Sequence, residues 1–152
     1  MSSLDKNYEV TQVIDRPIEE VFAFFSDVKN LEKITPPWLK FRVLYQSTPA
    51  ITEGTRFKYK LKIKGIPVYW KSLISSWKLN ESFVDEQLKG PYAKWHHTHL
   101  FKNLGGRTQM TDRIIYRVPM GHLGQLLLGS YIHNDIKKIF LYRSKVVTEL
   151  LK

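Results

Sequence analysis

Apolar and polar residues alternate along most of the chain between Tyr8 and Val118. A period of two is typical of strands that bury one face and expose the other. Short links that contain Gly, Pro or Asn separate most of these runs, which favours antiparallel hairpins. The pattern predicts seven strands, at Tyr8–Asp15, Phe41–Tyr45, Thr55–Lys64, Pro67–Leu79, Phe83–Lys89, Lys94–Lys102 and Thr108–Val118.

Apolar residues recur at helical spacing in the remaining segments. The segment after the candidate N-cap Asp15 predicts one short helix, and Val28–Lys33, with Ser26 and Asp27 as candidate caps, predicts a second. The C-terminal segment Tyr131–Leu151 predicts one long helix. The glycine-punctuated stretch Gly121–Gly129 leaves room for a short helix only.

The order of these elements predicts an α+β fold in a single domain, residues 1–152. Seven antiparallel strands must bury one face, and only the C-terminal helix is long enough to cover it. We therefore expect a curved sheet around that helix, with two short helices after the first strand. A curved sheet that grips one helix leaves a gap between them, where a ligand can bind.

Composition narrows the class of protein. The chain has 152 residues, 43% of them hydrophobic and none of them cysteine, so disulfides and thiolate metal sites are excluded. No window approaches a membrane span of about 18 apolar residues, and the first residues lack the apolar core of a secretory signal. The expected location is therefore cytoplasmic.

The net charge of +10 raises the expectation of an anionic partner such as RNA, a ribosome or an anionic membrane. The placement of the charge weakens it, because the cations between Thr55 and Gly65 alternate with Phe57, Tyr59, Leu61 and Ile63. That is the pattern of a half-buried strand with a solvated face. Nucleic-acid binding is thus disfavoured, although the basic surface leaves it open, and the oligomeric state is not predicted.

The segment FVDEQLKGPYAKWHHTHLF places polar residues at positions where a strand pair should be apolar. Pairing through the turns predicts His99 opposite Asp112 and His97 opposite Ile114, with Trp95 opposite Tyr116 and Phe101 opposite Met110. Across the preceding turn it predicts Gln87 near His97 and Asp85 near His99. Cross-strand neighbours of this kind lie about 5 Å apart at Cβ. Asp85, Gln87, His97, His99 and Asp112 should therefore share the concave face, with His96 in solvent.

Three interpretations of this cluster remain open. It can be a structural network in which His99 donates to Asp85 and Asp112, and its pKa would then be raised by the two carboxylates. It can orient the polar end of a ligand, or supply His97 or His99 as a general acid or base. A metal site is the least favoured, because the HHTH spacing fits any strand with two histidines. We predict neither a metal nor another cofactor.

The segment RPIEEVFAFFSDVKNLEKITPPW resembles the helical opening of the helix-grip superfamily, which includes START domains, Bet v 1-like proteins, aromatase/cyclases and coenzyme Q-binding proteins. GIPVYWKSLI and YRVPMGHLG are similar to a bacterial ligand-binding SRPBCC subgroup related to polyketide cyclase/dehydrases. The resemblance covers nearly the whole chain. It implies a hydrophobic cavity and a small lipid-, polyketide- or quinone-like ligand.

Parity along the strands predicts the residues that line such a cavity. The helix should contribute Ile132, Ile136 and Phe140, and Arg143 should pair with a carboxylate below it or extend to water. Trp70 is expected opposite Leu61. The predicted ligand-binding residues are Tyr59, Leu61, Trp70, Ile74, Gln87, Trp95, His97, His99, Phe101, Met110, Asp112, Ile114, Tyr116, Ile136 and Phe140.

These predictions favour a binding protein over two rivals. One rival is an aromatase/cyclase- or dehydratase-type enzyme that uses His97 or His99 with Asp85 or Asp112. The other is a module that associates with RNA or the ribosome through its basic surface.

Overall fold

A computed structural model describes residues 2–152 and confirms the predicted helix-grip architecture. One seven-stranded antiparallel sheet has the order β1-β7-β6-β5-β4-β3-β2. The elements are β1 (Lys6–Ile14), α1 (Ile18–Phe25), α2 (Val28–Ile34), a 3-10 turn (Pro37–Leu39), β2 (Arg42–Gln46), β3 (Arg56–Ile63), β4 (Ile66–Lys78), β5 (Ser82–Lys89), β6 (Lys94–Asn103), β7 (Thr108–Arg117) and α3 (Gly121–Leu150).

Alternation decides which face of each strand is buried. In β3, Phe57, Tyr59 and Leu61 are buried, whereas Arg56 and Lys58 are exposed. The basic residues of this strand therefore form the solvated outer face that their spacing predicts.

The pairing of β6 with β7 is as predicted, with His99 opposite Asp112 and His97 opposite Ile114. The predicted pairing of β5 with β6 is wrong by two residues, because Asp85 lies opposite His97 and Phe83 opposite His99. A shift of two keeps every side chain on its face, since side chains alternate with a period of two.

Gln87 explains this shift in register. Its side-chain amide donates to the Tyr92 carbonyl at 2.7 Å, and its side-chain oxygen accepts from the Tyr92 N–H at 3.2 Å. Gln87 therefore closes the loop between β5 and β6 instead of facing His97.

The β3–β4 hairpin also differs from the prediction by two residues. Trp70 lies opposite Tyr59, and Leu61 lies opposite Val68. The turn is the residue pair Lys64 and Gly65, which have φ angles of 50° and 78°. Two-residue turns with positive φ match the twist of antiparallel strands, so the hairpin closes one residue earlier than the predicted strand ends, Lys64 and Pro67, implied.

Helix α3 is one helix of 30 residues, so the prediction that it begins near Tyr131 is wrong. Gly124 and Gly129 lie inside it, and an isolated glycine costs a helix only about 1 kcal/mol relative to alanine. At the other end of the chain, α1 begins at Ile18 after Pro17, and Asp15 is not its N-cap. Asp27 caps α2 as predicted, accepting from the Lys29 N–H at 2.9 Å.

Two apolar clusters fill the space between the sheet and the helices. In the larger cluster, the Phe22 ring of α1 lies 5.0 Å from Trp77 and 5.1 Å from Phe101. The smaller cluster joins α3 to β7, with Ile136 and Phe140 packed near Ile114. These clusters hold α1 and α3 against the concave face and leave space between them.

Candidate functional site

The space between the concave sheet and α3 is a cavity in two chambers. The larger chamber has a volume of about 150 Å³ and the smaller one about 40 Å³. Both are lined by Leu31, Ile34, Tyr59, Asp85 and Arg143. The two charged side chains therefore lie where the chambers meet, and most of the remaining wall is apolar.

Asp112 is the centre of a buried polar network in the floor of this space. His97 Nε2 lies 2.7 Å from Asp112 Oδ1, at hydrogen-bond distance. His99 Nδ1 and the Arg143 guanidinium each lie 3.3 Å from the same carboxylate oxygen. All four side chains are buried. One buried carboxylate thus receives three partners from β6 and α3, which satisfies the charge that burial would otherwise penalise.

The network sets the protonation states of its members. Burial acts to raise the pKa of Asp112, but Arg143, His97 and His99 together hold it well below its usual value. Burial lowers the pKa of His99 to about 3, and the neighbouring His97 and Arg143 add to this effect. The predicted raised pKa of His99 is therefore wrong. The expected imidazolium is replaced by the Arg143 guanidinium, which is already charged and pairs with Asp112.

Asp85 does not join this network. Its carboxylate accepts a hydrogen bond from the Ser72 hydroxyl on β4, and its side chain lines both chambers. Burial raises its pKa, although the Ser72 hydrogen bond, His97 and Arg143 partly oppose the rise. The prediction that His99 bridges Asp85 and Asp112 is wrong, because Phe83 stacks on the His99 ring at 4.1 Å in the place expected for Asp85.

Arg143 reaches the network between two aromatic rings. Its guanidinium carbon lies 5.2 Å from the centroid of Phe25 and 5.6 Å from that of Phe140. Its Nε–H is buried and has no hydrogen-bond partner among residues 2–152. Of the two outcomes expected for this residue, pairing with a carboxylate is the one observed. A buried unpaired donor costs about 1–3 kcal/mol, and Arg143, which lines both chambers, carries one.

The three ligand-type side chains His97, His99 and Asp112 also have the composition of a metal site, since their ligand atoms lie within 4.8 Å of one another. The Arg143 guanidinium lies 3.3 Å from both His99 Nδ1 and Asp112 Oδ1. It therefore occupies the side of the cluster on which a cation would bind, and its charge would repel that cation.

The structure distributes the predicted ligand-binding residues over three places. Those on the wall of the larger chamber are Tyr59, Leu61, Trp70, Trp95, His97 and Phe140. Those on the wall of the smaller chamber are Tyr59, Ile74 and His99. Those that pack behind the wall or in the loop are Gln87, Phe101, Met110, Asp112, Ile114, Tyr116 and Ile136.

Several wall residues lie outside the predicted set. Leu31 and Ile34 come from α2, Tyr92 from the β5–β6 loop, and Asp135 and Ile139 from α3. Period-two parity could not find them, because they belong to helices and a loop. The apolar spacing of the long helix includes Ile139 and was the available signal for that residue.

Two surface positions also have defined contacts. The exposed Trp38 ring of the 3-10 turn lies 5.5 Å from Tyr142 of α3, next to chamber residues Leu39 and Phe41. The Tyr116 hydroxyl lies 2.9 Å from His133 Nδ1, so His133 is on the surface but hydrogen-bonded.

Comparison with known proteins places the chain in a family. Residues 14–138 match the family described as polyketide cyclase / dehydrase and lipid transport. The chain therefore belongs to this family, whose fold binds hydrophobic ligands. No curated protein matches the sequence significantly.

Solved structures share the fold at low sequence identity. A START superfamily protein from Mycobacterium smegmatis is 13% identical, with a TM-score of 0.72 over 95% of this chain and 96% of that chain. The Zhui aromatase/cyclase from Streptomyces sp. R1128 is 16% identical, with a TM-score of 0.68 over 97% and 91%. Ginseng major latex-like protein 151 from Panax ginseng is 13% identical, with a TM-score of 0.71 over 98% and 99%.

A helix that crosses a bilayer needs about 18 or more consecutive, mainly apolar residues. Within residues 2–152, no helix is both long enough and apolar enough to cross a bilayer.

Proposed function

We propose that this protein binds a small, mainly apolar molecule of one or two rings that carries an oxygen acceptor at one end. The observation that carries the proposal is the buried Arg143 Nε–H, which has no partner among residues 2–152 and belongs to a side chain on the wall of a mainly apolar chamber. Apolar pockets use a few placed polar groups to orient a ligand, and a fixed donor of this kind selects a carbonyl, phenolate or carboxylate oxygen.

The size of the cavity limits the ligand. The larger chamber, at about 150 Å³, is below the roughly 300–1,000 Å³ of pockets that hold drug-sized ligands. A dry cavity of about 150 Å³ is large enough for benzene. A single ring with short substituents therefore fits without rearrangement, and a second ring requires the aromatic side chains at the wall to move.

The aromatic wall supports this choice of ligand. Trp70 lies 5.4 Å from Trp95 with perpendicular rings, and Tyr92 lies 4.8 Å from Trp95. The edge-to-face arrangement of Trp70 and Trp95 leaves a ring face available to a further aromatic group. A flat ligand can continue the stack while its oxygen lies towards Arg143.

The first experiment tests the cavity. Ile139 lines the larger chamber, and Leu141 of the same helix is exposed. We expect Ile139→Trp to weaken binding of 2-naphthoate at least about tenfold in isothermal titration calorimetry, because the indole fills the chamber. The matched variant Leu141→Trp should bind like the wild type. Equal binding by both variants would show that the ligand lies elsewhere.

The second experiment tests whether Arg143 binds the polar end of the ligand. Arg143→Met removes the Nε–H and keeps an unbranched side chain without a donor, so we expect the preference for 2-naphthoate over 2-methylnaphthalene to disappear while affinity for the hydrocarbon stays. Thermal unfolding checks that the variant folds. A preference unchanged in a folded variant would contradict the role of Arg143. Native mass spectrometry of protein from its own host identifies the natural molecule.

An enzymatic role of the cyclase or dehydratase type is the second candidate. It is favoured by His97, which lines the larger chamber and is hydrogen-bonded to Asp112 as a general base would be, with Asp85 on the same wall. Replacing His97 and His99 by Phe separates the two functions. An enzyme should lose turnover of the co-purified molecule and keep its affinity, whereas a change in affinity alone supports the binding protein.

A further inference from the structure

The first half of α3 exposes its leucines. Leu126 is 81% exposed, Leu127 65% and Leu123 60%. At 100° per residue, Leu123 and Leu127 lie about 140–180° from Ile136, the buried residue that marks the side of the helix facing the sheet, and Leu126 lies at the edge of this outer side, about 80° from Ile136. Tyr131 lies on the same outer side and is 45% exposed. Large apolar side chains thus form the solvent side of this part of the helix, which we call the leucine face (Leu123, Leu126, Leu127 and Tyr131).

The opposite side of the same segment is polar or small. Gln125 and Gly129 are in register with Ile136 and line a polar gap with Lys6 and Asn7 at the start of β1. An ordinary surface helix buries its apolar stripe and exposes its polar one. Here the arrangement is inverted, so packing within the chain does not explain the leucines. A contiguous exposed apolar patch of this kind marks an interaction site.

Two segments beside the leucine face contain basic side chains and no acidic ones. Residues 113–134 contain no Asp or Glu. Residues 60–70, around the β3–β4 turn, also contain none, and they contain Lys60, Lys62 and Lys64. The structure joins these segments, because Lys64 Nζ at the β3–β4 turn lies 4.2 Å from the centroid of the Tyr131 ring. The nearest carboxylate along the helix is Asp135, one turn beyond Tyr131.

The side of α3 that carries the leucines becomes basic towards its C-terminus. Lys137 and Lys138 follow Leu126 and Leu127 by eleven residues, which is three turns, and both lysines are exposed. The exposed Ile66 next to the β3–β4 turn adds a further apolar side chain on the other side of Lys64. The surface therefore combines exposed apolar side chains with cations at their edge.

We propose that the leucine face docks the protein on an anionic lipid surface. Helices that lie in a membrane interface have a leucine-rich face flanked by Lys and Arg, and each cation near an anionic leaflet strengthens the binding. A second copy of this chain fits less well, because symmetric pairing would bring the same acid-free, cationic segments together. An anionic lipid surface has the opposite charge to these cationic segments, and it is therefore the partner that we propose.

Docking of this kind would bring the ligand cavity to the membrane. Ile63, Tyr92 and Asp135 are partly exposed residues of the larger chamber, and Asp135 is one turn of α3 from Tyr131. A ligand could then pass between the bilayer and the chamber without crossing water. This consequence rests on the proposed function, whereas the docking surface does not.

Vesicle sedimentation with the full chain tests the proposal. We expect the wild type to bind vesicles of equal parts phosphatidylglycerol and phosphatidylcholine, and to bind pure phosphatidylcholine at least about tenfold more weakly. L126Q/L127Q should reduce binding to the anionic vesicles at least about tenfold. Lys62→Gln with Lys64→Gln should reduce it by a smaller factor, because the leucines stay.

The matched control is L79Q/L104Q. Leu79 is 71% exposed and Leu104 41% exposed, and they lie in the β4–β5 and β6–β7 turns at the opposite end of the sheet from Lys64. This variant should bind vesicles like the wild type. Binding of 2-naphthoate should be the same in all variants, which separates failure of docking from failure of the proposed ligand site.

Three results would overturn the proposal. One is an absence of wild-type binding to the anionic vesicles. Another is binding that L126Q/L127Q leaves intact and that salt alone abolishes, which would indicate general attraction of a basic protein to polyanions, RNA included. The third is a wild-type dimer in sedimentation velocity that L126Q/L127Q converts to monomer, which would make the leucine face a contact between two copies.

Discussion

The two halves of α3 use apolar residues in opposite ways. In the second half, Ile136, Phe140 and Val147 are buried against the sheet, and Arg143 reaches the polar network below. In the first half the sheet side holds Gln125 and Gly129 and the leucines are outside. One continuous helix therefore grips the sheet along half of its length and presents an apolar surface along the other half.

The difference shows that helical spacing and burial are separate properties. The second half follows the usual rule that the apolar stripe faces the core, because the concave sheet lies beneath it. The first half faces a polar gap beside the start of β1, so the same residue type is on the outside. Stability should therefore depend on the second half, and interactions with partners on the first.

The strongest test of this contrast is a pair of truncations. Phe140→Ala should destabilise the protein by about 3–5 kcal/mol, since it removes a buried ring that packs against Tyr8 and His97. Leu127→Ala, in the exposed half, should change stability by no more than about 0.5 kcal/mol. Urea unfolding followed by circular dichroism measures both. Similar losses in the two variants would remove the distinction between the halves.

A second test uses the pH dependence of the network that Arg143 joins. Below about pH 6.5 the unfolded chain protonates His99, but the folded protein does not until about pH 3, so acid favours unfolding across this window. We expect stability to fall as pH decreases from 6.5, by at most about 1.4 kcal/mol per pH unit from this group. Thermal unfolding between pH 7 and pH 4 measures the slope.

The control for this titration is His99→Phe, which stays stacked on Phe83 but cannot bind a proton. Its stability should fall less steeply below pH 6.5 than that of the wild type. The raised pKa of Asp85 means that acid favours the folded state through this group, the reverse of the effect of His99. Asp85 is present in both proteins, so its contribution to the slope cancels in the comparison. Equal slopes would mean that His99 is protonated in the fold.

The smallest effects are expected at the two glycines of the first half. A Cβ at Gly124 would clash with the backbone carbonyl of Pro119, so Gly124→Ala should cost about 1 kcal/mol or more. A Cβ at Gly129 meets only the flexible end of Gln125, so Gly129→Ala should be neutral or gain up to about 1 kcal/mol of helix propensity. Thermal unfolding compares them. A larger loss for Gly129→Ala would show that this half packs closely.

Much of the fold could be read from local pattern. Alternation located all seven strands to within one or two residues and identified the exposed cations of β3. It also placed His97, His99 and Asp112 on one face, because β6 pairs with β7 as predicted, and Asp85 keeps its face because side-chain parity is insensitive to a register shift of two. The start of α3 was missed because two glycines were interpreted as helix breaks, although packing tolerates them.

The partners within the site could not be read in the same way. Asp85 was expected beside His99, but the Gln87 hydrogen bonds to Tyr92 close the loop differently and bring Phe83 there instead. Arg143 lies 31 positions from Asp112 in the chain, and only the crossing of α3 over β7 brings them together. The pKa of His99 depends on this arrangement, since burial beside a guanidinium reverses the expected shift.

The sequence by itself therefore determined the elements, the face on which each strand residue lies and the family of folds. These depend on backbone geometry and on a period of two or 3.6 residues, which are local properties. Only the tertiary structure decided the hairpin registers, the Arg143–Asp112 pair, the protonation of His99 and the outward leucines of α3. Those depend on long-range contacts and on desolvation, which arise when distant segments pack together.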